Sequence, residues 1–278
     1  MSKRRVLRER QIRLEEIKSI INAMKNLAFL ETRKLDQRLD NLKNMLADTK
    51  ALTADFLHFF SPAAANAPLS SCLWVAFGSE RGFCGDFNKT LLAVLKEKIP
   101  ANIAKENPVI AVGSRLHSLF ELNQRSGRRI AGASVAEDIL PMLTGLVDCI
   151  DLEQQKLGPD KAYQVVAIYH DIDSNRVESL ALLPPSSRSM TKDVSFREPP
   201  LTNLAPDVLY GELIQQYLFV ALQEIATVSL MTENQRRLQH MDGATQYLEK
   251  TGKQLSQRYQ QLRQEAITEE IAVSMSNY

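Results

Sequence analysis

Proline is missing from both ends of this chain. All eleven prolines among the 278 residues lie between Pro62 and Pro206, leaving roughly sixty residues before them and seventy-two after them without one. An internal proline removes a helix donor and clashes with the preceding turn, at a cost of about 3 kcal/mol. Each end is therefore free to run as one long helix of ~90–105 Å at 1.5 Å per residue. Cysteine is scarce as well: Cys72, Cys84 and Cys149 are odd in number and form no C-x-x-C pair. That count argues against a disulfide framework or a thiolate zinc site, and fits a reducing compartment. No stretch approaches eighteen apolar residues, so none reads as a membrane span. The basic start is interrupted by Glu9, Glu15 and Glu16 with no apolar run behind it, and reads poorly as a signal or transit peptide.

A composition of 44% hydrophobic and 24% charged residues is that of an ordinary soluble protein, and disorder is not expected. The net charge of +1 hides an asymmetry: residues 1–60 carry 13 Lys/Arg against 8 Asp/Glu, and residues 207–278 carry 6 against 9. Opposite signs favour the two ends lying side by side, though screening keeps the preference modest.

Apolar residues at Leu14, Ile17, Ile21, Met24 and Ala28, then Leu35, Leu42 and Met45, mark a coiled-coil seam. Glu31 and Arg38 stand where apolar residues are expected, while Arg33, Lys34 and Asp36 should face outward. Near the other end Met241, Leu248, Leu255 and Leu262 repeat every seven residues, flanked by Thr245, Gly252, Tyr259 and Ala266. Gly243 and Gly252 signal either close backbone approach or tolerated flexibility. Between the seams, short apolar runs at Cys72–Phe77, Val109–Val112, Tyr163–Tyr169 and Val177–Leu183 read as buried strands. Helical stretches around Lys89–Lys98, Ser114–Leu122 and Val135–Leu152 alternate with them, as in a parallel doubly wound sheet. The short link between the last two strands favours an antiparallel edge hairpin. Pro184, Pro185, Pro199, Pro200 and Pro206 mark an extended return. The expected architecture is α/β: a long antiparallel coiled coil of N- and C-terminal helices plus a Rossmann-like α/β domain. Its parts are residues 1–60, 61–206 and 207–278.

The segment from Gly78 to Thr90 follows a strand and precedes a helix, where phosphate-binding loops occur. A P-loop needs Gly immediately before its Lys and another five positions earlier, but Asn88 precedes Lys89 and Phe83 stands at the second place. A tight structural turn accounts better for it, with glycines supplying unusual dihedrals and Asp86 a helix cap. Nothing pairs Cys84 as a nucleophile with His58, His117, His170 or His240, and a small buried residue is the plainer reading. His170, Asp171 and Asp173 could ligate a metal, but at a strand end they read better as solvated polar residues. The basic arm of Lys3, Arg4, Arg5, Arg8, Arg10 and Arg13 superficially suggests a DNA-reading zipper, yet the isoelectric point is only 7.7 and the helix leads into an α/β domain. Contact with an acidic protein surface, or a merely solvated helix start, are the remaining readings; nucleic acid is not an expected partner.

Three segments resemble the gamma subunit of F-type ATP synthases. Ile12, Arg13, Ile17, Lys18, Ile20, Ala23, Met24, Leu27 and Ala28 are similar to the family's first helix. Glu80-Arg81-Gly82-Phe83-Cys84-Gly85-Asp86-Phe87-Asn88 is similar to its D-R-G-L-C-G-G-x-N turn. Thr232-Glu233, Arg237, Met241, Ala244-Thr245, Tyr259, Arg263-Gln264, Ile267-Thr268 and Glu270-Ile271 follow its last helix in order. Asp86 replaces the second Gly of the turn, Asn22 and Asn26 alter the first helix, and Val273–Tyr278 departs from the usual tail.

The resemblance implies a non-catalytic rotor shaft without a cofactor, turning inside a ring of three alpha and three beta subunits. Its α/β domain would lie near the ring of membrane c subunits and beside the epsilon subunit. The shaft would couple ion flow to ATP synthesis or hydrolysis at the cytoplasmic face of a bacterial inner membrane. By the same resemblance Lys18, Met24, Arg263, Gln264 and Thr268 would meet the beta subunits, and Arg81, Gly82, Cys84, Gly85 and Asn88 would form a structural turn. The competing expectation is a small nucleotide-using Rossmann-like enzyme with coiled-coil arms.

Overall fold

The computed structural model describes residues 3–60, 69–99, 108–124, 127–156, 162–185 and 198–276. The proline-free ends form α1 (Lys3–Phe59) and α5 (Pro206–Ser276), with Pro206 opening α5, where a missing N–H costs nothing. Between them run β1 (Leu69–Phe77), α2 (Phe87–Lys98), β2 (Val109–Val112), α3 (Ser114–Leu122), β3 (Arg128–Ile130), α4 (Ile139–Gln155), β4 (Ala162–His170) and β5 (Val177–Leu183). The helix expected over Val135–Leu152 begins as a 3-10 turn at Ala136–Asp138, where the Asp138 carboxylate accepts the backbone N–H groups of Ser134 and Val135. Most of the return between Pro184 and Pro206, residues 186–197, lies outside the described residues, as do residues 277–278 at the tip. The chain divides into two compact units, Met1–Leu30 with Arg237–Tyr278, and Glu31–Arg236.

In the Glu31–Arg236 unit the sheet has five strands in the order β3-β2-β1-β4-β5. The first four are parallel, and β5 closes one edge as the antiparallel partner of β4. Alternation sorts the side chains into two cores. Leu73, Val75, Phe77, Ile110, Val112, Val165 and Ala167 face α4, Leu35, Leu39 and Leu46 of α1, and the first half of α5. Ala76, Val109, Ala111 and Ile168 face Leu91 and Leu95 of α2 and Leu116 and Phe120 of α3. Helices therefore cover both faces, as a doubly wound sheet requires. One segment of α5 is apolar enough to cross a membrane by composition, but 61% of that window is buried inside the fold, so it is a core helix.

The two long helices pack together and run antiparallel. In the Met1–Leu30 and Arg237–Tyr278 unit Lys18 pairs with Glu249 at 3.0 Å and Lys25 pairs with Asp242, seven residues forward on α1 and seven back on α5. The α5 seam is the expected one: Met241 is buried, and Thr245, Leu248, Gly252, Leu255, Tyr259, Leu262 and Ala266 are half-buried among exposed neighbours. A Cβ at Gly243 or Gly252 would meet no heavy atom within 4 Å, so close backbone approach is not why glycine stands there. The α1 seam differs from expectation. Ile17 is 46% exposed and Met45 47% exposed, while Lys18 and Leu46 take the inward places. Four-residue steps carry the stripe where three-residue steps were expected, and Lys18 covers the seam with its aliphatic stem while its ammonium reaches Glu249.

Candidate functional site

The strand-to-helix turn after β1 is held by one side chain. Asn88 Oδ1 accepts the Ser79 N–H at 2.9 Å, and its Nδ2 donates to Ser79 Oγ at 2.7 Å. The thiol of buried Cys84 lies 3.4 Å from Ser79 Oγ and 3.9 Å from the Arg81 carbonyl. Gly85 takes a left-handed φ of 64°, which suits glycine, but Phe83 takes φ 65° as well, and Gly82 would tolerate a Cβ 3.6 Å from Arg115. Only part of the turn's glycine content is therefore conformational. Arg81 and Lys89 are exposed, whereas Cys84 and Asn88 are buried. Asp86 stands at the N-cap position of α2, but its carboxylate makes no capping bond and pairs instead with Arg236 of α5 at 2.8 Å.

Glu80 opens the turn motif but was given no role of its own there, and it ties three strand ends together. Its carboxylate accepts the Ser114 N–H at 2.9 Å, the Ser114 hydroxyl at 2.6 Å and the Gly132 N–H at 2.8 Å. Burial pushes its pKa up, but the hydrogen bonds from Ser114 and Gly132 and the Arg129 charge outweigh this and hold it below the usual carboxylate range. The N-terminus of α3 is thus already occupied by the protein's own anion.

His170, expected to be solvated, is buried. Its ring stacks on Phe87 at 4.0 Å, and Nε2 lies 2.8 Å from the Phe87 carbonyl. The Thr232 hydroxyl of α5 donates to the Val228 carbonyl at 2.9 Å and lies 3.4 Å from the His170 carbonyl, and Ser229 donates to the Phe77 carbonyl at 3.4 Å. The histidines are otherwise engaged: His58 packs edge-on to Phe59 and His117 lies 3.4 Å from Glu121, while His240 is exposed. Asp171 accepts the Ser174 N–H, and Asp173 is exposed. Among the described residues no group of three or more His, Cys, Asp or Glu side chains is placed to hold a metal ion.

On the helix pair, Lys18 is engaged by Glu249, which raises its pKa, and Met24 is half-buried. Arg263, Gln264 and Thr268 are exposed on one stretch of α5, with the Thr268 hydroxyl returned to the Gln264 carbonyl at 2.9 Å. Apolar side chains also face outward, among them Ile12, Ile20 and Leu27 on α1 and Ile271 and Met275 on α5. Of the turn residues, Cys84 and Asn88 meet in a buried knot around Ser79 while Arg81 and Gly85 are exposed, and Lys18, Met24, Arg263, Gln264 and Thr268 are spread along the pair.

A pair of long antiparallel terminal helices together with a doubly wound sheet, whose strand ends are closed by its own side chains, makes this an α/β protein with two long helical arms. A family model described as ATP synthase matches residues 3–273. The chain is 24% identical to the ATP synthase gamma chain of Chlorobaculum parvum, over 96% of this chain and 95% of that one. It is 22% identical to that of Syntrophus aciditrophicus, over 93% and 91%. In fold it is similar to a chain of the Euglena gracilis mitochondrial ATP synthase rotor, with TM-score 0.60, 16% identity and coverage of 95% and 98%. It is likewise similar to a chain of the Tetrahymena thermophila mitochondrial ATP synthase central stalk and c-ring, with TM-score 0.57, 18% identity and coverage of 81% and 99%. The chain belongs to the ATP synthase gamma chain family: it is a gamma subunit, the central rotor stalk of an F-type ATP synthase and a non-catalytic, peripheral membrane-associated part of that complex.

Proposed function

We propose that the helix pair of this subunit turns inside a ring of three alpha and three beta subunits, and that the α/β unit engages the epsilon subunit and the ring of c subunits. The complex works at the cytoplasmic face of a bacterial inner membrane. Ion flow turns the stalk, and its asymmetry biases the three catalytic sites into different states, so that rotation and ATP synthesis or hydrolysis are coupled. The observation that carries this reading is the helix pair itself. Its two ion pairs, Lys18–Glu249 and Lys25–Asp242, link one helix to the other and set their antiparallel register. The outward apolar residues supply non-directional contacts that tolerate sliding. Arg263, Gln264 and Thr268, with Lys18 and Met24, are the proposed points of contact with the beta subunits, and residues 61–206 form the part nearest the membrane.

Mixing the purified chain with its cognate alpha and beta subunits tests the proposal. ATP hydrolysis is expected to appear only when all three are present. If hydrolysis stays at the level of alpha and beta alone, the rotor reading fails.

A further inference from the structure

We infer that Glu31 is a positioning residue of the rotor: it holds α1 to the turn that opens α4 as torque passes, opposite a matching hold on α5. This rests on the rotor reading above. Glu31 occupies an inward place on α1 where leucine would ordinarily pack, and it is 3% exposed. Its Oε2 accepts the Ala136 N–H at 3.0 Å, and its Oε1 accepts the Lys34 ammonium at 2.9 Å. Lys34 also reaches Glu137, at 3.5 Å. Ala136 opens the 3-10 turn that leads into α4, so a carboxylate from α1 satisfies a helix-start N–H that an apolar side chain would leave bare.

Burying a carboxylate carries a desolvation cost that leucine avoids, so fold stability alone does not account for it. A directional bond does what apolar packing cannot: it resists rotation and sliding of the helix over the sheet. On α5 the equivalent bonds are Ser229 to the Phe77 carbonyl and Arg236 to Asp86. Phe56 of α1 stacks on Tyr210 of α5, and twenty-five residues back along α1 and twenty-six forward along α5 lead to Glu31 and Arg236. The two helices are therefore bonded to the α/β layers at one level, α1 at the 3-10 turn that opens α4 and α5 at the carboxyl end of β1 and at Asp86 before α2. Both holds are the last residues of α1 and α5 that belong to the sheet-containing unit.

The test uses the complete enzyme carrying Glu31→Ala or Glu31→Gln, reconstituted into lipid vesicles. ATP hydrolysis and the membrane potential it builds are read together, the latter with a potential-sensitive dye that responds whichever ion is carried. Glu31→Ala is expected to hydrolyse ATP at the wild-type rate while losing potential. Glu31→Gln, which keeps an oxygen for the Ala136 N–H, is expected to retain both, and Glu31→Ala with Arg236→Ala to lose potential completely. Hydrolysis and potential that stay in proportion in Glu31→Ala, whether unchanged or reduced together, would overturn the inference, as would a Glu31→Gln enzyme that fails like Glu31→Ala. A wild-type complex that neither hydrolyses nor builds potential would instead overturn the rotor reading.

Discussion

His170 ends β4 with its ring against Phe87 and its Nε2 against the Phe87 carbonyl. A carbonyl can only accept, so the proton sits on Nε2, and Nδ1 is buried with no hydrogen-bond partner. Burial lowers the pKa to about 4; the Phe87 bond and the Asp86 charge oppose this, and the Arg236 charge adds to it. The sign of the pH dependence follows. An unfolded histidine takes its proton near 6.5 and the folded one only near 4, so this group's stabilisation is complete above pH 6.5 and is lost as pH falls towards 4. At about 1.4 kcal/mol per unit the loss is roughly 3 kcal/mol. Denaturant unfolding of the wild type and His170→Gln at several pH values reads it: the difference between them should shrink as pH drops through that window, and a constant difference would rule the account out. None of this was visible in the sequence, where His170-Asp171-x-Asp173 resembled a solvated cluster. Burial of the ring depends on Phe87 and on α5, which are distant in the chain. Glu80 and Glu31 were hidden for the same reason, since each is explained only by backbone N–H groups that the fold brings to it.

At the scale of elements, composition was a good guide wherever one physical cause dominates. The missing prolines foretold α1 and α5, and short apolar runs foretold four of the five strands. β3 escaped because its three residues, Arg128, Arg129 and Ile130, carry no apolar pattern; pairing with β2 makes them a strand. The α5 seam was legible because its heptads are unbroken. On α1 both Met45 and Leu46 are apolar, and periodicity could not choose between neighbours until the sheet and α5 supplied the inward direction. That choice has a measurable consequence. Leu46 is 5% exposed within the core and Met45 is 47% exposed. Leu46→Ala should cost about 2–5 kcal/mol of stability and Met45→Ala within about 0.5 kcal/mol. Chemical denaturation of the two variants compares them, and equal losses would show that the inward face of α1 is wrongly assigned.

At the scale of the whole molecule, the α/β unit has the topology in which doubly wound folds hold nucleotides, yet the places that would hold one are occupied. The strand order β3-β2-β1-β4-β5 puts the topological switch between β1 and β4, where a ligand would enter beyond the carboxyl ends. Phe87 and His170 stack there, Ser229 of α5 bonds to the end of β1, and the Thr232 hydroxyl lies 3.4 Å from the last carbonyl of β4. The N-terminus of α3, a natural phosphate site, holds the Glu80 carboxylate, and a second anion there would meet like charge. Exposed Lys89 stands in a turn that lacks the glycine before it that a phosphate cradle needs. Titrating ATP into the purified chain, followed by calorimetry, should therefore give no saturable heat, and Lys89→Ala should behave identically. Saturable binding that disappears in Lys89→Ala would revive the nucleotide-enzyme reading. The same bonds that exclude a nucleotide join α5 to the sheet, so in this fold the crevice used elsewhere for ligand chemistry is given over to holding a helix in place.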